Sequence, residues 1–195
     1  MPHGALRYAA AVQVFLIRHA EAVDGRSKAA GGGDPTGFAG GAGGEAPRGI
    51  DETVALRDPH RHLTVSGRQQ ARAIGDRLRW HDCTPTHIWS SPLVRALQTA
   101  ELVTAALQCE LAVEAVPALA PDENPREALA ALAALPGDST IIVVGHEPGV
   151  SALGALLIGR PELAGLHKAE AVRIVDGVLR WRFAWNAEAP EITAG

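Results

Sequence analysis

Three short segments carry residue types suited to handling a phosphoryl group. Arg18 and His19 follow directly on the apolar run VQVFLI (12–17). Arg95 comes four residues after Ser91, and His146 follows Gly145 at the end of the run TIIVV (140–144). A phosphoryl group in transfer spreads negative charge over three equatorial oxygens, so catalysis depends on positioning and on positive donors. A guanidinium fork grips two oxygens at once, and this pocket offers two forks. A neutral imidazole is a competent nucleophile near neutral pH when one ring nitrogen is unprotonated. The other nitrogen is then expected to donate to a backbone carbonyl, which fixes the tautomer. Taken singly, each residue has a plainer use: a surface arginine, a histidine satisfied at a strand end, or a local cap. The case rests on where the fold puts them together.

The elements that must position them follow from pattern. VQVFLI reads as a buried strand, HIWS (87–90) as a second, LAVEAV (111–116) as a third and TIIVV as the clearest of all. Between them, Thr64 or Ser66 caps a helix with Ala71, Ile74 and Leu78 on one face. Ser91-Pro92 reads as an N-cap and first-turn proline for a helix carrying Leu93, Leu97, Ala100 and Val103. Asn124-Pro125 opens another helix, with Glu127 in capping-box position, and Pro148 starts the last, with Val150, Leu153 and Leu157 inward. Asp176-Gly177 lies between two apolar runs and predicts a tight hairpin. This alternation implies a three-layer α/β/α sandwich with a mainly parallel central sheet and a C-terminal β-hairpin. In such sheets ligands bind beyond the carboxyl ends of the strands. Arg18-His19, Ser90-Ser91 with Arg95, and Gly145-His146 all stand at such ends, so parallel strands would converge them on one crevice.

A length of 195 residues suits one domain, and 47% apolar residues exclude a disordered chain. The formal charge of −4 gives no footprint for nucleic acid or an anionic membrane. Cys83 and Cys109 form no C-x-x-C pair, and they read as reduced thiols. Tyr8 to Ile17 is flanked wrongly for a signal peptide, and no run approaches a membrane span, so a cytoplasmic location is expected. Residues at about 24–61 form a Gly-, Ala- and Pro-rich insertion without apolar period, read as a flexible spacer. His60 and His62 hint at a metal pair, but no acidic or cysteine cluster accompanies them. His3, His81, His87 and His167 read as surface or structural residues, and all four tryptophans, at 80, 89, 181 and 185, as packing residues.

The motifs also resemble a known family. LIRHAEA (16–22) resembles the opening signature of the histidine phosphatase superfamily, SSPLVRALQTAE (90–101) its second block and VVGHEPGVS (143–151) its third. LTVSGRQQA (63–71) matches the start of the family's first helix, and PALAPDENP (117–125) resembles the small SixA-type phosphohistidine phosphatases. The resemblance implies that His19 is the nucleophile that becomes phosphorylated. Arg18, Arg95 and His146 would then complete the phosphate pocket, with no metal and no organic cofactor. Ala20 replaces the glycine that commonly follows the nucleophile, a change tolerated where the backbone does not need positive φ.

Larger relatives place a carboxylate after the third strand, where this chain offers Asp122 and Glu123, and Asp122 is the expected proton donor. SixA-type members lack a clear equivalent, which suits phosphohistidine because a protonated imidazole leaves readily. Glu21 and Glu147 read as neighbours of the arginines. The expected activity is hydrolysis of a phosphorylated protein histidine. The alternatives are a phosphatase of a small phosphate ester and a catalytically silent phosphate-binding module. The expected partner is accordingly a phosphorylated protein or a small phosphate compound, with no nucleic acid and no membrane.

Overall fold

A computed structural model describes residues 12–24 and 58–192. Most of the Gly-rich insertion, positions 25–57, lies outside the described residues, as do the first residues of the chain and His3.

Among the described residues seven strands form one sheet in the order β3-β2-β4-β1-β5-β6-β7. Strands β1 (Gln13–Arg18), β2 (His87–Ser90), β3 (Val113–Ala115) and β4 (Thr140–Gly145) run parallel. Strands β5 (Glu170–Val175), β6 (Val178–Ala184) and β7 (Glu191–Ile192) extend the sheet antiparallel from β1. The expected C-terminal hairpin is β5–β6, and it joins the sheet directly through β5 beside β1. At its tip Asp176 and Gly177 have φ of 52° and 73°, the two left-handed positions of a type I′ turn. The short β7 adds an edge strand that the sequence patterns did not reveal.

Alternation in β1 and β4 builds a core on each face. Phe15, Ile17, Ile142 and Val144 pack against α1 (Val65–Trp80) and α2 (Val94–Leu107). Val14, Leu16, Ile141 and Val143 pack against α3 (Pro125–Ala133) and α4 (Gly149–Ile158). Strands apolar on both faces are what a sheet covered by helices on both sides requires.

Helix starts follow local chemistry, with one correction. The Thr64 side chain caps α1 by accepting from Gly67 N, and Asn124 caps α3 with Pro125 in the first turn. The expected Ser91-Pro92 start of α2 is displaced: the helix begins at Val94, with Leu93 at the cap and no side-chain cap bond. Ser91 Oγ accepts from Leu93 N at 3.3 Å, but its shortest contact, 2.8 Å, is with His146. Trp80 also departs from expectation, being 82% exposed at the end of α1, whereas Trp89 and Trp181 are buried.

Candidate active site

Parallel pairing brings the motif ends together. Arg18 registers with Gly145, His19 N donates to the Gly145 carbonyl at 3.0 Å, and Ser91 N donates to the Val144 carbonyl at 2.9 Å. The carboxyl ends of β1, β2 and β4 are thus tied side by side. His19, Arg95 and His146 are all buried there, and Arg18 is half-buried.

His19 Nδ1 lies 2.7 Å from the Ala20 carbonyl oxygen. That oxygen can only accept, so Nδ1 carries the proton and Nε2 presents its lone pair. Arg95 Nε donates to that Nε2 at 3.3 Å. Ala20 is buried, has no positive φ, and donates its N–H to Thr99 Oγ1 at 3.1 Å, so the glycine common at this place is not needed. His146 faces His19 with ring centroids 5.0 Å apart. Its Nε2 pairs with Ser91 Oγ at 2.8 Å, while its Nδ1 is buried with no partner among the described residues. Because Ser91 Oγ already accepts from Leu93 N, its hydroxyl hydrogen is free to go to His146 Nε2. In the tautomer in which that hydrogen goes to Nε2, Nδ1 is a buried N–H donor without an acceptor among the described residues.

Arg18 shows the same deficit. Its Nη1 donates to the Leu166 carbonyl at 2.8 Å, and its Nε is buried without a partner among the described residues. Glu147 holds the other side of the same loop by accepting from Leu166 N at 2.9 Å, and its second oxygen accepts from Ser151 Oγ. Arg18 Nε and, in that tautomer, His146 Nδ1 are buried donors without partners among the described residues, and beside the His19 ring and the Arg95 guanidinium they describe a hollow shaped for an anion.

Electrostatics agree. Burial is the main reason that the His19 pKa falls to about 4, with the charges of Arg95, Arg18 and Lys168 adding to the fall and the bond to Ala20 opposing it. The pKa of His146 falls to about 3, again chiefly by burial, then by His19 and Arg95. Both rings are neutral at physiological pH, as a nucleophile and a hydrogen-bond donor require. An anion bound between them would raise both values.

Asp122 stands on an exposed turn with φ of 69°. Its neighbour Glu123, not Asp122, lines a hollow shared with Leu119, Ala128, Gly145, His146 and Val150. Among the described residues no group of three or more His, Cys, Asp or Glu side chains is arranged to hold a metal. His60 and His62 are both exposed.

Three residues touching the site escaped sequence reading: Asp58, Ser91 as the partner of His146, and Thr99. Asp58 accepts from Arg95 Nη2 at 3.0 Å through its carboxylate and from Arg95 Nη1 at 2.8 Å through its backbone oxygen. Its place at the edge of a Gly-rich stretch gave no signal.

The family model of the histidine phosphatase superfamily (branch 1) matches residues 51–120. That span contains Asp58 and Arg95, while His19 and His146 lie outside it. No curated protein matches the chain in sequence. Among solved structures, the protein histidine phosphatase SixA complexed with tungstate superposes with a TM-score of 0.69 at 23% identity, covering 89% of this chain and 97% of that one. A structure provisionally assigned as a SixA phosphohistidine phosphatase from Nakamurella multipartitia gives 0.56 at 25% identity, covering 95% of each chain. A mycobacterial glucosyl-3-phosphoglycerate phosphatase gives 0.57 at 19% identity, covering 91% of this chain and 99% of that one. The chain thus resembles the histidine phosphatase superfamily in sequence over part of its length and carries the phosphoglycerate mutase-like fold. Its structural neighbours include a SixA protein histidine phosphatase and a structure provisionally assigned to that type.

Proposed function

We propose that the protein is a phosphatase in which His19 is the nucleophile, Arg18, Arg95 and His146 hold the phosphoryl group, and protein phosphohistidine is the substrate. The observation that carries this reading is the state of His19. Its Nδ1 is tied to the Ala20 carbonyl, and its Nε2 lone pair points to the Arg95 guanidinium. In the first step Nε2 bonds to phosphorus as the bond to the leaving nitrogen or oxygen breaks, and the leaving group departs with a proton. In the second step water attacks the phosphohistidine, releasing inorganic phosphate and restoring the neutral ring. Arg18 Nε and His146 Nδ1, both without partners among the described residues, would donate to the equatorial oxygens. The likeness to a SixA structure holding tungstate, a tetrahedral oxyanion, supports such a pocket.

An exposed proton donor is consistent with a leaving imidazole, which needs little acid assistance. For an alkyl leaving group, Asp122 is the proposed acid, and Glu123, which lines the hollow beside His146, is its competitor. Small phosphate esters are the second substrate class, because a structural neighbour acts on glucosyl-3-phosphoglycerate. No helix among the described residues is long and apolar enough to cross a membrane. A cytoplasmic location is proposed on the two cysteines, which stand as free thiols.

A single-turnover assay with a phosphohistidine protein and a panel of small esters tests the reading. Acid-labile phosphate trapped on the wild type and lost in His19→Ala is the expected result. Rapid turnover of the phosphoprotein would establish the substrate, and trapping from esters alone would move it to small molecules. Binding of phosphate without any turnover would make the protein a silent binding module. In the same assay, full alkyl-phosphate turnover by Asp122→Asn with loss in Glu123→Gln would transfer the acid to Glu123.

A further inference from the structure

We propose that Asp58 is a positioning residue of the phosphoryl site, holding the Arg95 fork so that its Nε edge faces the nucleophile. This rests on the phosphatase reading of the same site. Arg95 is buried, and its donors are divided between two directions. Both terminal nitrogens are taken by Asp58, Nη1 by the backbone oxygen at 2.8 Å and Nη2 by carboxylate Oδ2 at 3.0 Å. Nε is directed instead at the nucleophile, 3.3 Å from His19 Nε2. A guanidinium held at both terminal nitrogens cannot rotate in its plane, so its Nε–H stays aimed at the nucleophile that must face phosphorus.

Asp58 is itself anchored. Its Oδ1 accepts from Arg61 Nη1 at 3.1 Å, and Arg61 Nε donates to the Val23 carbonyl at 2.7 Å. The same stretch is clipped to the exit of β1 by Val23 N to the His62 carbonyl at 2.9 Å and by the Ala22–Leu63 bridge. A continuous chain of contacts thus runs from Val23 through Arg61, Asp58 and Arg95 to His19. Desolvation is the largest influence on the Asp58 carboxyl and pushes its pKa up, but hydrogen bonds from Arg95 and Arg61 outweigh it and hold the group below the usual carboxylate range. Asp58 is therefore an anion at neutral pH, suited to holding a cation and not to donating a proton.

The same contacts permit an opposite role, in which the carboxylate occupies Arg95 and competes with phosphate. The experiment separates the two. Wild type, Asp58→Ala and Asp58→Asn would be compared with p-nitrophenyl phosphate for kcat and KM, and with inorganic phosphate for binding by calorimetry, well below each melting temperature. Positioning predicts that Asp58→Ala loses at least tenfold in kcat/KM and binds inorganic phosphate more weakly. Asp58→Asn, which keeps one acceptor oxygen, should fall between. A purely structural residue would lower the melting temperature and leave kcat and KM unchanged, which overturns the proposal. Raised kcat/KM or tighter phosphate binding in Asp58→Ala also overturns it, in favour of competition. If wild type binds phosphate but turns over nothing, the phosphatase reading fails, and the binding comparison still decides the role of Asp58.

Discussion

At the scale of the residue, the site depends on keeping two imidazoles neutral while crowding them with cations. Free histidine titrates near pH 6.5, whereas burial brings His19 to about 4 and His146 to about 3. The free protein should show a His19 titration by NMR with a midpoint near pH 4, moving upward when inorganic phosphate is added. The same shifts act on folding. Between about pH 6.5 and pH 4 the unfolded chain binds protons that the folded rings refuse, so stability present above pH 6.5 is lost as pH falls. His19 accounts for at most about 3 kcal/mol of that loss. Urea unfolding across this range should give a shallower acid slope for His19→Ala than for wild type. An equal slope would mean that His19 is not held neutral by burial.

At the scale of the element, the exit of β1 is held by close packing on the start of α1. Thr64 N donates to the Glu21 carbonyl at 3.1 Å, Thr64 Oγ1 donates to Glu21 Oε1 at 2.9 Å, and Glu21 N donates to Gln70 Oε1 at 3.0 Å. Gly67 permits this approach, because a Cβ there would overlap the Glu21 carbonyl oxygen. Gly67→Ala must push the helix off the segment that follows His19. The expected cost is about 2 kcal/mol or more in stability, with a loss of turnover beyond what unfolding explains. Thermal melting and kcat at a low temperature check the two effects separately, and an unchanged melting temperature would refute the packing argument.

At the scale of the molecule, the insertion leaves and rejoins the fold at neighbouring points. Arg61 reaches Asp58 at 3.1 Å and Asp24 at 3.7 Å, so the two flanks of positions 25–57 are held together by one side chain. Loop-closure entropy grows only slowly with length, which makes a long excursion between clipped ends inexpensive. Deleting Gly31 to Gly44 should change stability by no more than about 0.5 kcal/mol and leave turnover of small esters intact. A large loss of phosphoprotein turnover alone in that variant would assign substrate docking to the insertion.

Strand and helix identity was legible in the sequence because each depends on local periodicity. The apolar runs at 12–17 and 140–144 could be buried only in a sheet covered on both faces, and the caps at Thr64 and Asn124 act within one helical turn. The gathering of Arg18, Arg95, His19 and His146 was legible for the same reason, since parallel strands end on one side. Non-local choices were not. The α2 start moved to Val94, with Ser91 Oγ nearer to His146 than to the helix, and Trp80 was left outside by the packing of α1. The hairpin continued the main sheet because β1 had an open edge for β5. Asp58 could be found only in three dimensions, because its meaning lies in reaching an arginine far along the chain. Sequence by itself determined which elements form and which residues stand at their ends, since those follow from backbone geometry over a few residues. Tertiary structure alone decided which donors are left unsatisfied and which carboxylate holds Arg95, since both depend on what the rest of the fold brings within hydrogen-bonding distance.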